Sequence, residues 1–193
     1  NADVILVHSK SQEEDFIKAG FARTIEGQKA ERLTFMYNYF VLVGPNDDPA
    51  KVKDAETVYD AFEAIASTKS TFISRGDGSG THNAELKLWS ENIGITAEPE
   101  SFADYTDWYI SANQGMGKCI AMADEKGAYV FTDKATFLSN KADLDLEIIL
   151  AEGDDMMNTY SLIECNPEKL EGINTEGAKA LIEWMTGEEA SAL

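Results

Sequence analysis

Three glycines fall within the nine residues Ser74-Arg75-Gly76-Asp77-Gly78-Ser79-Gly80-Thr81-His82, between an apolar β-type run and a helical one. That join confines the chain to folds in which a strand turns sharply into the start of a helix. Glycine makes the sharp turn accessible and lets a backbone come close to a ligand. Ser79, Gly80 and Thr81 then sit at the helix N-terminus. N–H groups there lack partners inside the helix, and the positive dipole end favours an anion. Arg75 is one of three arginines in the chain, with Arg23 and Arg32. Beside such a nest, its planar fork of donors suits an oxyanion. The plainer reading of the segment is a loop closed by an N-cap at Ser79.

Enzyme patterns do not fit this segment. A Gly-x-Ser-x-Gly elbow is absent, since Asp77 and Thr81 flank Ser79 at two residues' distance. No Gly-Lys-Ser/Thr ending is present, and the spacing departs from the dinucleotide fingerprint. A hydrolase using Ser79 with His82 remains as a second class of function, but no orienting acid is evident in the motif. His8 and His82 are the only histidines, and neither lies in ligand spacing, so no metal centre is expected. His82 reads as a helix-surface or hydrogen-bonded histidine.

Charge narrows the partners. Among 193 residues, 35 are acidic and 16 basic, for a net charge of −19. Nucleic acid and anionic membrane surfaces both need clustered Lys and Arg, so neither is an expected partner. Any anion site must act at short range, which screening over roughly 8–10 Å allows. Cys119 and Cys165 stand far apart in no metal-type spacing. They read as buried free thiols, with a disulfide left open. No apolar run has the length of a membrane span. The sequence opens directly on a strand, without a starting Met or a signal-type basic segment, and reads as a processed or truncated product.

Strand-like runs alternate with amphipathic helices along the chain. Val4 to Val7 is an apolar strand, leading to a helix capped at Ser11 with Phe16, Ile17 and Phe21 on its apolar side. Phe35 to Val43 is a second strand, broken by Gly44-Pro45. A helix over Ala55 to Ala66 precedes the short strand Thr71 to Ser74. Thr81 to Asn92 is helical and ends at Gly94; Thr96 to Tyr109 has no assigned structure. Gln114 opens a helix over Lys118 to Glu125, and Gly127 to Thr132 is a strand, with Thr132 and Asp133 placed to cap the next element. Leu146 to Leu150 and Thr159 to Cys165 are strands. The final helix from Glu176 is expected to bury Ala180, Leu181, Trp184 and Met185. This order predicts an α/β fold with mostly parallel sheets, in which ligands bind at the carboxyl ends of strands. Ser74 and Thr132 both end strands.

The segments ADVILVHS, MYNYFVLVGPNDDP, FISRGDGSGTH, QGMG, EKGAYVFTDKATF and INTEGAKALIEWM, in this order, resemble the tungstate-binding substrate proteins of ABC importers. More distantly they resemble molybdate- and phosphate-binding relatives. The likeness covers nearly the whole chain. It implies a type II periplasmic-binding-protein fold, with two α/β lobes joined by two crossing strands. Lobe 1 is then expected at 1–44 and 148–193, and lobe 2 at 45–147. The family starts with a strand and a Thr/Ser-rich anion loop before ADVILVHS, so the first lobe is expected to be incomplete.

The resemblance implies that Arg75 is the charged ligand contact and that Ser79, Gly80 and Thr81 are helix N-terminal donors, with Ser74 and Gln114 as further contacts. It implies no enzyme activity, no cofactor, and tungstate or molybdate as ligand. A membrane permease is the implied partner and the location extracytoplasmic, with the protein a monomer. A sensory ligand-binding domain is the remaining alternative. Its regulatory form would need a basic DNA-reading segment, which the chain lacks.

Overall fold

The computed structural model describes residues 2–27, 29–151 and 153–192, and the ends of the expected first lobe, 1 and 193, lie outside them. The described chain forms two compact units, 1–37 with 158–193 and 38–157. Residues 38–44 and 148–157 pack within the second unit.

In the first unit, β1 (Val4–Val7) pairs antiparallel with β7 (Met157–Glu164), from Val4 opposite Glu164 to Val7 opposite Ser161. The start of the long strand β2 (Arg32–Pro45) lies on the other side of β7. Helix α1 (Lys10–Lys18) starts after Ser9, earlier than the cap expected at Ser11, and no side-chain cap bond forms. Glu13 of its first turn is buried and ion-paired with Arg32, Nε to Oε2 at 2.6 Å. That partner lies far along the chain, so the helix could not disclose it. Helix α6 (Thr175–Met185) is capped by Asn174, whose side chain accepts from the Gly177 N–H at 2.9 Å. A short helix α7 (Glu188–Ser191) comes next. α6 buries Ala178 and Ile182, with Ile182 beside Ile25 and Leu162, and Met185 packs against them. The expected face is wrong in large part: Ala180 is exposed, and Leu181 and Trp184 are 45% and 48% exposed, so of the four only Met185 turns inward. Apolar residues occur around much of this helix, so periodicity alone leaves its rotation free.

The second unit is built on a sheet with both faces covered. Its strands are the later part of β2, β3 (Phe72–Ser74), β4 (Tyr109–Ser111), β5 (Tyr129–Asp133) and β6 (Leu146–Leu150). Side chains alternate across it. Phe40, Leu42, Phe72, Tyr129 and Phe131 face one core with Phe62 of α2 (Val58–Thr68) and Trp89 of α3 (Gly80–Asn92). Val41, Val43, Ile73 and Val130 face the other, with Cys119 and Ile120 of α4 (Met116–Lys126) and Phe137 of α5 (Lys134–Asn140). Both cysteines are free and buried.

The sheet is mixed, where the alternation of elements suggests mostly parallel pairing. β2 runs antiparallel to both β5 and β6, while β3 is parallel to β4 and to β5. Parallel pairing is confined to the strands linked by α3 and α4, because a crossover helix returns the chain to the edge it left. Residues 99–105, without an expected structure, form a run of 3-10 turns ahead of β4. α5 is the element whose cap the sequence places at Thr132 or Asp133; Asp133 caps it, accepting from the Thr136 N–H at 2.8 Å.

The Phe62 ring lies 4.4 Å from Trp89 and 5.6 Å from Phe72, centroid to centroid, and is fully buried. Phe62→Ala is expected to cost about 3–5 kcal/mol, the usual range for an aromatic removed from a core. Urea unfolding followed by tryptophan fluorescence reads it as a lowered midpoint.

Candidate oxyanion site

Because β3, β4 and β5 are parallel, their carboxyl ends lie on one edge of the second unit, each leading into a helix. Three helix N-termini therefore share that edge. Asp133 occupies the start of α5 as its cap. α4 begins after Gly115, which has no side chain to offer. α3 begins after Ser79, whose Oγ accepts from the His82 N–H at 3.3 Å. Gly80 and Thr81 are the first two residues of α3, so their N–H groups have no acceptor within the helix. The structure thus starts α3 at Gly80, one residue ahead of the expected Thr81.

The loop before α3 is held from several sides. The Ala112 N–H donates to the Ser74 carbonyl at 2.9 Å, and the Gln114 N–H to the Arg75 carbonyl at 3.1 Å. These bonds tie Ser74 and Arg75 to the β4–α4 connection. Asp77 accepts three hydrogen bonds: Oδ1 from the Ser79 N–H at 3.1 Å, and Oδ2 from Arg75 through Nε at 3.1 Å and through Nη2. Hydrogen bonds from Ser79 and the Arg75 charge hold the Asp77 carboxyl below its ordinary range against a desolvation that pushes it up. The Arg75 side chain is about one-fifth exposed, so its charge is held near solvent but not free in it.

His82 is buried at the first turn of α3, and its Nδ1 accepts from the Gly78 N–H at 3.0 Å. Burial and the nearby Arg75 charge hold its pKa below the ordinary value despite Asp77. The neutral ring thus closes the glycine loop. Ser79 Oγ is engaged with the His82 backbone and the His82 acceptor with Gly78, an arrangement of a capped loop and not of a nucleophile with its base.

The structure brings Ser74, Arg75, Ser79, Gly80, Thr81 and Gln114 to this one edge. Thr81 is buried, and Ser74 is fully so. Gln114 turns its Oε1 to the Lys118 ammonium at 3.2 Å. Sequence reasoning misses Glu85 and the hold of Asp77 on Arg75, though a turn cap at Asp77 follows from loop chemistry. Asp77 caps the turn as a loop aspartate does, but its hold on Arg75 depends on the folded loop. Glu85 lies within α3, one turn before Trp89, and is 1% exposed. A charged residue four before a tryptophan in the apolar stripe is the available signal. The Trp89 Nε1–H and the Tyr109 hydroxyl both donate to its Oε1, at 3.0 and 3.1 Å.

The PBP superfamily domain model matches residues 1–189, and the chain belongs to that superfamily. Over 194 aligned residues it is 47% identical to the tungstate-binding protein TupA of Peptoclostridium acidaminophilum, covering 100% of this chain and 63% of that protein. The chain thus spans less than two thirds of that relative's length. Among solved structures it is similar to the tungstate binding protein TupA from Desulfovibrio alaskensis G20, at 35% identity and a TM-score of 0.78, covering 99% of this chain and 72% of that one. It is also similar to the tungstate ABC transporter from Geobacter sulfurreducens, at 38% identity and a TM-score of 0.76, covering 97% and 74%.

Gly76 and Gly78 separate two effects. Both have positive φ, +64° and +70°. A Cβ on Gly76 would lie 2.2 Å from Ser111 Oγ, whereas one on Gly78 would meet nothing within 4 Å. Gly78→Ala is expected to cost about 1 kcal/mol, the ordinary left-handed penalty. Gly76→Ala is expected to cost more and to displace the loop from β4. Thermal unfolding of the two variants ranks the costs.

Proposed function

We propose that this chain is the ligand-binding part of an extracytoplasmic protein that captures tungstate, or a similar tetrahedral oxyanion such as molybdate, and hands it to the membrane permease of an ABC importer. The observation that carries this reading is the Arg75 fork set beside the open N-terminus of α3, on a loop at the carboxyl ends of parallel strands. The 47% identity to a tungstate-binding protein supports the choice of anion. In this reading the two compact units are the two lobes of the binding fold, the protein acts as a monomer, and the role is binding without catalysis.

The chemistry rests on the donor set. A tetrahedral dianion sheds water only where many donors replace it. The N–H groups of Gly80 and Thr81, the hydroxyls of Ser79, Thr81 and Ser74, and the Gln114 amide can supply neutral dipoles. Arg75 supplies charge with two-pronged geometry. Asp77, the acidic residue within the loop, is engaged with Arg75 and the Ser79 N–H. A protonated oxyanion needs an acceptor, and burying its O–H unpaired costs about 1–3 kcal/mol.

Calorimetric titration of the protein with sodium tungstate, molybdate, sulfate and phosphate tests this. Tungstate should bind, and Arg75→Ala should weaken it at least about tenfold, the equivalent of losing one charge-assisted bond. Equal affinity in wild type and Arg75→Ala would remove the site from this loop. Phosphate at neutral pH should fail to displace tungstate at comparable concentration. Efficient displacement would mean that Asp77 turns to the ligand and that the anion is a protonated one.

A further inference from the structure

The oxyanion reading leaves Glu85 unused. This carboxyl is 1% exposed and lies beneath the corner where β3 turns into the glycine loop. Trp89 and Tyr109 donate to its Oε1. The Ser74 hydroxyl and the Arg75 backbone N–H lie on it as well. Ser74 Oγ is itself fully buried and, among the described residues, makes no hydrogen bond of regular geometry. Two residues of the candidate site thus rest on a single buried acid, and one of them has its hydroxyl uncommitted.

We infer that Glu85 is the positioning residue of the oxyanion loop, and that the state of its proton decides where the Ser74 hydroxyl points. With Glu85 protonated, its O–H donates to Ser74 Oγ, and the Ser74 proton is free to donate towards the anion. With Glu85 ionised, the Ser74 O–H and the Arg75 N–H are both drawn to the carboxylate. The site then loses a donor and gains a negative charge beneath a dianion. Capture therefore favours the protonated form. By linkage, an anion arriving at ionised Glu85 brings one proton with it from solvent. The inference rests on the oxyanion reading above.

The shifted groups described around Glu85 all move away from its titration window. Burial pushes its carboxyl up from about 4.5 to about 8, against the lowering pull of the donor groups around it, Ser74, Tyr109, Trp89 and the Arg75 backbone. Burial also raises the Tyr109 hydroxyl, from β4, far above its ordinary value. Cys119, from α4, is pushed up to about 11. His82 and Asp77 are both held below their ordinary values, so they titrate beneath the window. Folding keeps the proton on Glu85. The stability this contributes is full below about pH 4.5, declines as pH rises, and is gone above about 8.

Sodium tungstate, a dianion across this range, is titrated calorimetrically between pH 7 and 9.5 in buffers of different ionisation enthalpy. Wild type should lose roughly tenfold or more in affinity across the range. It should also take up close to one proton per anion bound above pH 8. Glu85→Gln, which mimics the neutral carboxyl, should flatten the pH profile to within about twofold and abolish the proton uptake. Should that variant fail to fold, Tyr109→Phe serves: losing a donor to the carboxylate should move the midpoint of the wild-type profile upward. A flat wild-type profile with no proton uptake, alongside firm tungstate binding, overturns the role of Glu85 and leaves the oxyanion reading intact. No tungstate binding at any pH overturns both.

Discussion

The parallel alignment of β3 with β4 and β5 is the constraint on which the candidate site depends. It sets three carboxyl ends on one edge and sends a helix away from each, so that the N-termini of α3, α4 and α5 open on the same side. Two backbone bonds, from Ala112 to Ser74 and from Gln114 to Arg75, lock the glycine loop to the neighbouring connection. Local loop chemistry alone would leave Arg75 on a flexible tether. Anchored in this way, its guanidinium is held in one place at modest entropic cost.

That alignment is maintained by burial on both faces. Phe72 and Ile73 are consecutive residues of a three-residue strand, yet they belong to different cores. A strand so short has few hydrogen bonds of its own, so its position is set by the aromatic cluster of Phe62, Trp89 and Tyr109 on one side and by α4 on the other. Fold and site are thus coupled through Trp89, which packs in the core and also donates to Glu85 beneath the loop.

What can be read in the sequence is what neighbours along the chain decide. The glycine loop, its cap at Ser79, the place of Arg75 and the alternation of strand with helix all obey local rules, and the structure has them. The direction of β2 is not readable, because antiparallel pairing with β5 and β6 depends on partners far along the chain, such as Leu150 opposite Leu42. The rotation of α6 is lost for a related reason: Leu181 and Trp184 are apolar like Ile182, and the distant cluster that includes Ile25 and Leu162 selects Ile182 for burial. In the sequence Glu85 is one more charge on an acidic chain. Its meaning appears only when Ser74, Tyr109 and Trp89 come together around it.

The Arg75–Asp77 pair gives the loop a resident rival for any visitor. The guanidinium already faces a carboxylate two residues away, in the same turn and at high effective concentration. In the proposed oxyanion role, an incoming anion would have to share or displace that carboxylate, so capture would be an exchange of partners and not a filling of an empty place. Singly charged, weakly accepting anions such as chloride have little to set against Asp77, while a compact dianion can outcompete it. In that role the ion pair would act as a threshold that screens out weakly accepting anions before size or shape is read.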